Sequence, residues 1–135
     1  MSLTHYLRAT CAIAGLTFCG LAVADTAPVS HYTASISADG KVQAQSPEWI
    51  DSIKYSVHPG YLANYEIKYK AGIYPQAPSF CAVSLTDTRN EDDLYYGQAR
   101  LGAAPKATHV TVVTQLSKGG PSADSSQAFV LMCVK

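Results

Sequence analysis

From Tyr65 to Lys70 every second residue is polar: Tyr65, Ile67 and Tyr69 interleave with Glu66, Lys68 and Lys70. A period of two sends successive side chains to opposite faces of an extended chain, so this stretch predicts a β-strand with an aromatic inner face and a charged outer one. The same period, without any sustained stripe at helical spacing, predicts further strands over residues 31–37, 41–45, 50–57, 79–86, 94–100, 108–116 and 127–134. Eight short strands with turn signals between them predict one antiparallel all-β domain over 31–135, a sandwich or a barrel.

The connectors agree with that reading. Asp39-Gly40 between two strand-like runs is a tight-hairpin signal, because both residues tolerate the positive φ such turns require. His58-Pro59-Gly60 predicts a second turn. Tyr74-Pro75-Gln76-Ala77-Pro78 cannot continue a central ladder, since neither proline has an N–H to donate, and so predicts a corner. Residues 117–126, with Gly119-Gly120-Pro121, form the most variable-looking internal loop. Residues 25–30 read as a short flexible start.

Residues 1–24 have the layout of a cleaved secretory signal. Arg8 precedes an apolar run over 9–24, which ends in Ala22-Val23-Ala24 before Asp25. That run falls short of the roughly 20 residues of a membrane-spanning helix, and no later stretch is as apolar. Cys19 would serve a lipid anchor only with a small residue before it, where Phe18 stands. The expected protein is therefore exported, periplasmic or secreted.

Export changes the meaning of the cysteines. Four are present, Cys11 and Cys19 in the leader and Cys81 and Cys133 in the body. The latter pair sits in two strand-like runs, and in an oxidising compartment such a pair is expected to form a disulfide. A redox or metal role would call for C-x-x-C spacing, which is absent.

Charge excludes one class of partner. The whole chain has ten basic and ten acidic residues, without the clustered positive charge of a nucleic-acid binder. Catalytic motifs are also missing: there is no H-E-x-x-H, G-x-S-x-G, G-x-x-x-x-G-K-[ST] or G-x-G-x-x-G. His31, His58 and His109 lie far apart in sequence, as solvated histidines or as metal ligands that only the fold could gather. No cofactor is expected, and the acidic loop offers calcium as the alternative. Asp87, Asn90, Glu91, Asp92 and Asp93 are hard oxygen donors in one short loop, although an acidic run between two strands is usually a solvated turn.

Tyrosine carries the strongest hint of recognition. Tyr95 and Tyr96 are adjacent, so on a strand one of them faces outward. Together with Tyr61 and Trp49 near strand ends, they offer amphipathic rings with large contact area at low entropic cost. Tyr55, Tyr65 and Tyr69 read as core.

Three segments in order resemble a known family over residues 31–134. They are Ala38, Asp39 and Gly40 before Val42; Gly60 and Tyr61 before Tyr65, Ile67 and Tyr69; and Gly72, Ile73, Tyr74, Pro75 and Pro78 before Phe80 and Val83. This order resembles the C1q/TNF-like jelly rolls and the tips of phage tail fibres. The resemblance implies a jelly-roll sandwich and a self-associating recognition head, with a homotrimer as the expected assembly, rather than an enzyme. The expected function is thus a non-catalytic module binding a glycan or protein through loop and edge tyrosines. The alternative is a periplasmic inhibitor or immunity protein that blocks an enzyme by inserting the 87–93 or 117–126 loop.

Overall fold

A computed structural model of the protein describes residues 31–86, 91–117 and 125–135. The leader, the 25–30 start, residues 87–90 and most of the 117–126 loop lie outside them. Eight strands form: β1 (His31–Ile36), β2 (Val42–Ser46), β3 (Ile50–His58), β4 (Leu62–Tyr69), β5 (Phe80–Leu85), β6 (Gly97–Leu101), β7 (His109–Leu116) and β8 (Phe129–Val134). A short helix, α1 (Glu91–Tyr96), precedes β6.

The strands build two antiparallel sheets, with order β2-β1-β8-β5 in sheet A and β3-β4-β7-β6 in sheet B. The expected eight-stranded antiparallel sandwich with one disulfide is what forms. Its β1–β2, β3–β4 and β6–β7 hairpins run within a sheet, where the strands of a jelly-roll ribbon alternate between sheets.

Period-two patterning decides which side chains enter the core. Tyr32, Ala34 and Ile36 of β1 face inward beside Phe129, Leu131 and Cys133 of β8. Across the gap, Tyr65 and Ile67 of β4 and Val110 and Val112 of β7 are fully buried, while Glu66 and Lys68 take the outer face, as the sequence predicts. Cys81 and Cys133 stand directly opposite each other in the β5–β8 ladder and form the disulfide, with Cα atoms 4.1 Å apart.

One predicted strand differs. The segment 94–100 begins as helix, and extended structure starts only at Gly97. Leu94, Tyr95 and Tyr96 are three consecutive large residues without alternation, and the acidic residues ahead of them suit a helix's first turn, where exposed N–H groups favour negative charge.

Antiparallel pairing sorts the connections to two ends. The β1–β2, β3–β4, β5–β6 and β7–β8 connections share one end. The β2–β3, β4–β5 and β6–β7 connections share the other, together with the entry to β1 and the last residues. Cross-sheet hydrogen bonds fix this alignment. At the first end the Tyr65 hydroxyl donates to Ala38 O at 2.8 Å, and Thr114 Oγ1 donates to Ser125 O at 2.6 Å. At the second, Trp49 Nε1 donates to Thr33 O at 3.0 Å.

The predicted Asp39-Gly40 hairpin forms, with Gly40 at φ 78° and its N–H donating to Ser37 O at 2.9 Å. A Cβ at Gly40 would stand 2.9 Å from Cβ of Tyr55, so the bare backbone also lets β3 approach this turn.

A candidate recognition surface at one end of sheet B

The turn before β4 is built to display a ring. Pro59 fixes φ at its second position, Gly60 supplies φ 75° at its third, and the Tyr61 N–H closes it on His58 O at 3.0 Å. These are the residues and hydrogen bond of a type II turn. Tyr61 projects from it 72% exposed.

A second aromatic group reaches the same end from another connection. Leu94 and Tyr95 of α1 are 61% and 73% exposed, with Tyr96 partly so. The helix is held there because the Tyr96 carbonyl accepts both the N–H and the hydroxyl of Ser117, at 3.0 and 2.9 Å. The registers of β4, β7 and β6 bring the Tyr61 turn and Gly97 to the same edge of sheet B. Three of the four predicted ligand-binding residues therefore share one end.

The fourth does not. Trp49 is fully buried at the opposite end, packed on Tyr32, Tyr69 and Tyr74 with ring centroids 5.8, 5.3 and 6.4 Å away. It stands in the β2–β3 crossover, and its N–H is used by Thr33, so it is a core residue and not a surface contact. Tyr55 departs the other way: expected in the core, it is 36% exposed at the edge of sheet B, its ring 5.2 Å from that of Tyr65 and its hydroxyl bonded to Ser126 Oγ.

Below Tyr61 the outer face of sheet B forms an open groove of about 460 Å³. His58, Leu62, Asn64, Thr111 and Val113 line it with Tyr61. Val113 points outward in register with Asn64 and Arg100, yet is only 8% exposed, which makes it the floor. Gly102 closes the far side: its N–H donates to Thr111 O at 2.8 Å, and a Cβ there would meet Thr111 Cγ2 at 2.9 Å and Val113 Cγ2 at 3.1 Å. Sequence reasoning misses this groove, since its members come from three strands and two connections, and only the Gly60-Tyr61 turn is legible in the sequence.

The outer faces of the two sheets differ in charge. Sheet B carries Lys54 opposite Glu66, with Lys68 and Arg100 nearby. Apart from His31, the outward positions of sheet A are small or apolar, and they lack Asp, Glu, Lys and Arg, as at Thr33, Ala44, Ala82, Ser84, Val130 and Met132. They shape a shallow concavity of about 440 Å³.

The predicted calcium ligands Asp87 and Asn90 fall outside the described residues, as do the side chains of Asp92 and Asp93. Glu91 is exposed at the start of α1. Among the described residues no group of three or more His, Cys, Asp or Glu gathers. His31 and His109 begin β1 and β7, at the end opposite His58. No described helix is long and apolar enough to cross a membrane. Among the described residues, titration shifts fall on structural phenols and surface ion pairs. Burial raises Tyr65, Tyr69 and Tyr74, and Lys41 and Lys70 hold Asp39 and Glu48 below the usual carboxylate range.

Compared with known proteins, the chain matches no family model, no curated protein and no solved structure.

Proposed function

We propose that the protein is an exported, non-catalytic binding module, periplasmic or secreted, that recognises a glycan or protein partner with the tyrosine-bearing end of its sandwich. The observation that carries this reading is the convergence of Tyr61, Tyr95 and Tyr96 from two separate connections onto one end. Exposed rings supply contact area at low entropic cost and are enriched where proteins bind. The leader pattern and the disulfide suit an oxidising, extracytoplasmic setting.

The test is a glycan array combined with a pull-down from the native envelope, run on the wild type and on a Tyr61→Ala, Tyr95→Ala double variant. Both rings are solvated, so the double variant keeps its unfolding free energy to within about 0.5 kcal/mol. Its retention of whatever the wild type captures drops about a hundredfold, as for two interface anchors. Undiminished capture by the variant rejects the reading.

Self-association, which the family resemblance implies, is favoured by the charge-free outer face of sheet A. Phe80, Val130 and Met132 are 56%, 41% and 39% exposed there. Light scattering then gives a trimer for the wild type and a monomer for Met132→Lys. A monomeric wild type removes this part of the proposal.

The inhibitor reading draws on the same end, because the β5–β6 and β7–β8 connections both emerge there. A captured enzyme that loses its activity at equimolar protein decides for it.

A further inference from the structure

We infer that the groove on the outer face of sheet B is a subsite for a neutral saccharide, with the Tyr61 ring as its stacking platform. The inference rests on the recognition reading above and gives it a ligand class. Its first support is the chemistry of the lining. Tyr61 is 72% exposed, while Asn64, Thr111 and His58 offer an amide, a hydroxyl and an imidazole, and Leu62 and Val113 an apolar floor. A pyranose has the same division, an apolar C–H face and a rim of hydroxyls that both donate and accept. Amide and hydroxyl groups match that rim, because they too can do both.

The second support is what the groove lacks. No carboxylate or ammonium lines it, and the two charges that flank it, Glu66 opposite Thr111 and Arg100 opposite Val113, are of opposite sign, so the groove offers a charged ligand no net counter-charge for the hydration it would lose. A peptide strand is disfavoured by topology. The groove lies over β4 and β7, the two central strands of sheet B, whose backbone groups are engaged on both sides by neighbouring strands. Strand addition uses a sheet edge, and here only side chains are available to bond. The volume of about 460 Å³ lies within the range of small-molecule sites.

Gly102 gives the groove a steric signature. The two side chains that its missing Cβ would strike, Thr111 and Val113, are both in the lining, so Gly102→Ala displaces the floor while leaving Tyr61 in place.

The experiment is a titration of amide resonances with short neutral oligosaccharides of glucose, mannose, galactose and N-acetylglucosamine, and with a uronate oligosaccharide as the charged counterpart. The expected result is saturable shifting of the Asn64, Gly102 and Thr111 amides by at least one neutral series. Affinity falls about tenfold in Tyr61→Ala and in Asn64→Ala, each a loss of one stacking or hydrogen-bonding contact. Unchanged amide spectra outside the substituted site show that these variants remain folded. Shifts confined to α1, binding of the uronate alone, or no saturable shift with any neutral series overturns the inference. If Tyr61→Ala, Tyr95→Ala loses its captured partner while Asn64→Ala and Gly102→Ala keep it, the recognition reading stands and the saccharide subsite falls.

Discussion

Replacing Cys81 and Cys133 together by alanine lowers the free energy of unfolding by about 4 kcal/mol. That figure is the loop-closure entropy which a cross-link over a separation of 52 residues removes from the unfolded chain. The two residues are directly opposed in the β5–β8 register and both face the core, so the bond joins positions that the ladder already holds together. β5 is an edge strand with β8 as its sole ladder partner, and without the bond it is the element expected to open first. Urea denaturation of the double variant, beside wild type with and without reductant, measures the effect, and amide exchange locates it. The reduced wild type and the variant should unfold at similar denaturant, with faster exchange over Phe80–Leu85. A midpoint equal to that of the oxidised wild type refutes the estimate. Since domains of this size retain about 5–15 kcal/mol in total, the bond is a large share of what keeps the protein folded.

Most of the architecture was legible because it rests on period two. Where polar and apolar residues alternate cleanly, as from Tyr65 to Lys70, the inward and outward assignments follow from geometry alone. Proline and glycine placed the turns at Gly40 and Gly60 and the corner at 74–78 for equally local reasons. The failures occur where a local pattern underdetermines burial. Leu94, Tyr95 and Tyr96 are apolar in a row, which leaves strand and helix equally open, and the acidic residues before them decide for helix. Trp49 looked like an exposed ring at a strand end, but the crossover from β2 to β3 folds it under Tyr32 and Tyr74. The burial of the ring is not local information, since the acceptor of its indole N–H lies 16 positions away at Thr33. The groove was invisible for the same reason. Asn64, Gly102 and Thr111 become neighbours only through strand order, a property of pairing between distant segments.

Trp49→Ala is expected to destabilise the protein by about 3–5 kcal/mol, the range for removing a large aromatic side chain from a packed core. Three losses act together. The side chain is completely buried, so its apolar area returns no contact to solvent in the folded state. Its tilted and edge-on packing against Tyr32, Tyr69 and Tyr74 disappears, and the Thr33 carbonyl loses its indole donor. The surroundings have little freedom to collapse, because Tyr69 at the end of β4 and Tyr74 in the β4–β5 connection pack on each other with ring centroids 4.9 Å apart. Trp49→Phe keeps most of the volume and loses the hydrogen bond, so its cost should be smaller, about 1–2 kcal/mol. Circular dichroism during urea titration measures both variants, and Trp49, the single tryptophan of the chain, reports wild-type unfolding by its fluorescence. The comparison with Tyr61→Ala separates core from ligand contact. A ring that belongs to the core lowers stability when removed and leaves affinity unchanged for the molecules that remain folded. A Trp49→Ala protein of near wild-type stability that no longer binds its partner would return Trp49 to the recognition surface and displace the assignment of that surface to the opposite end.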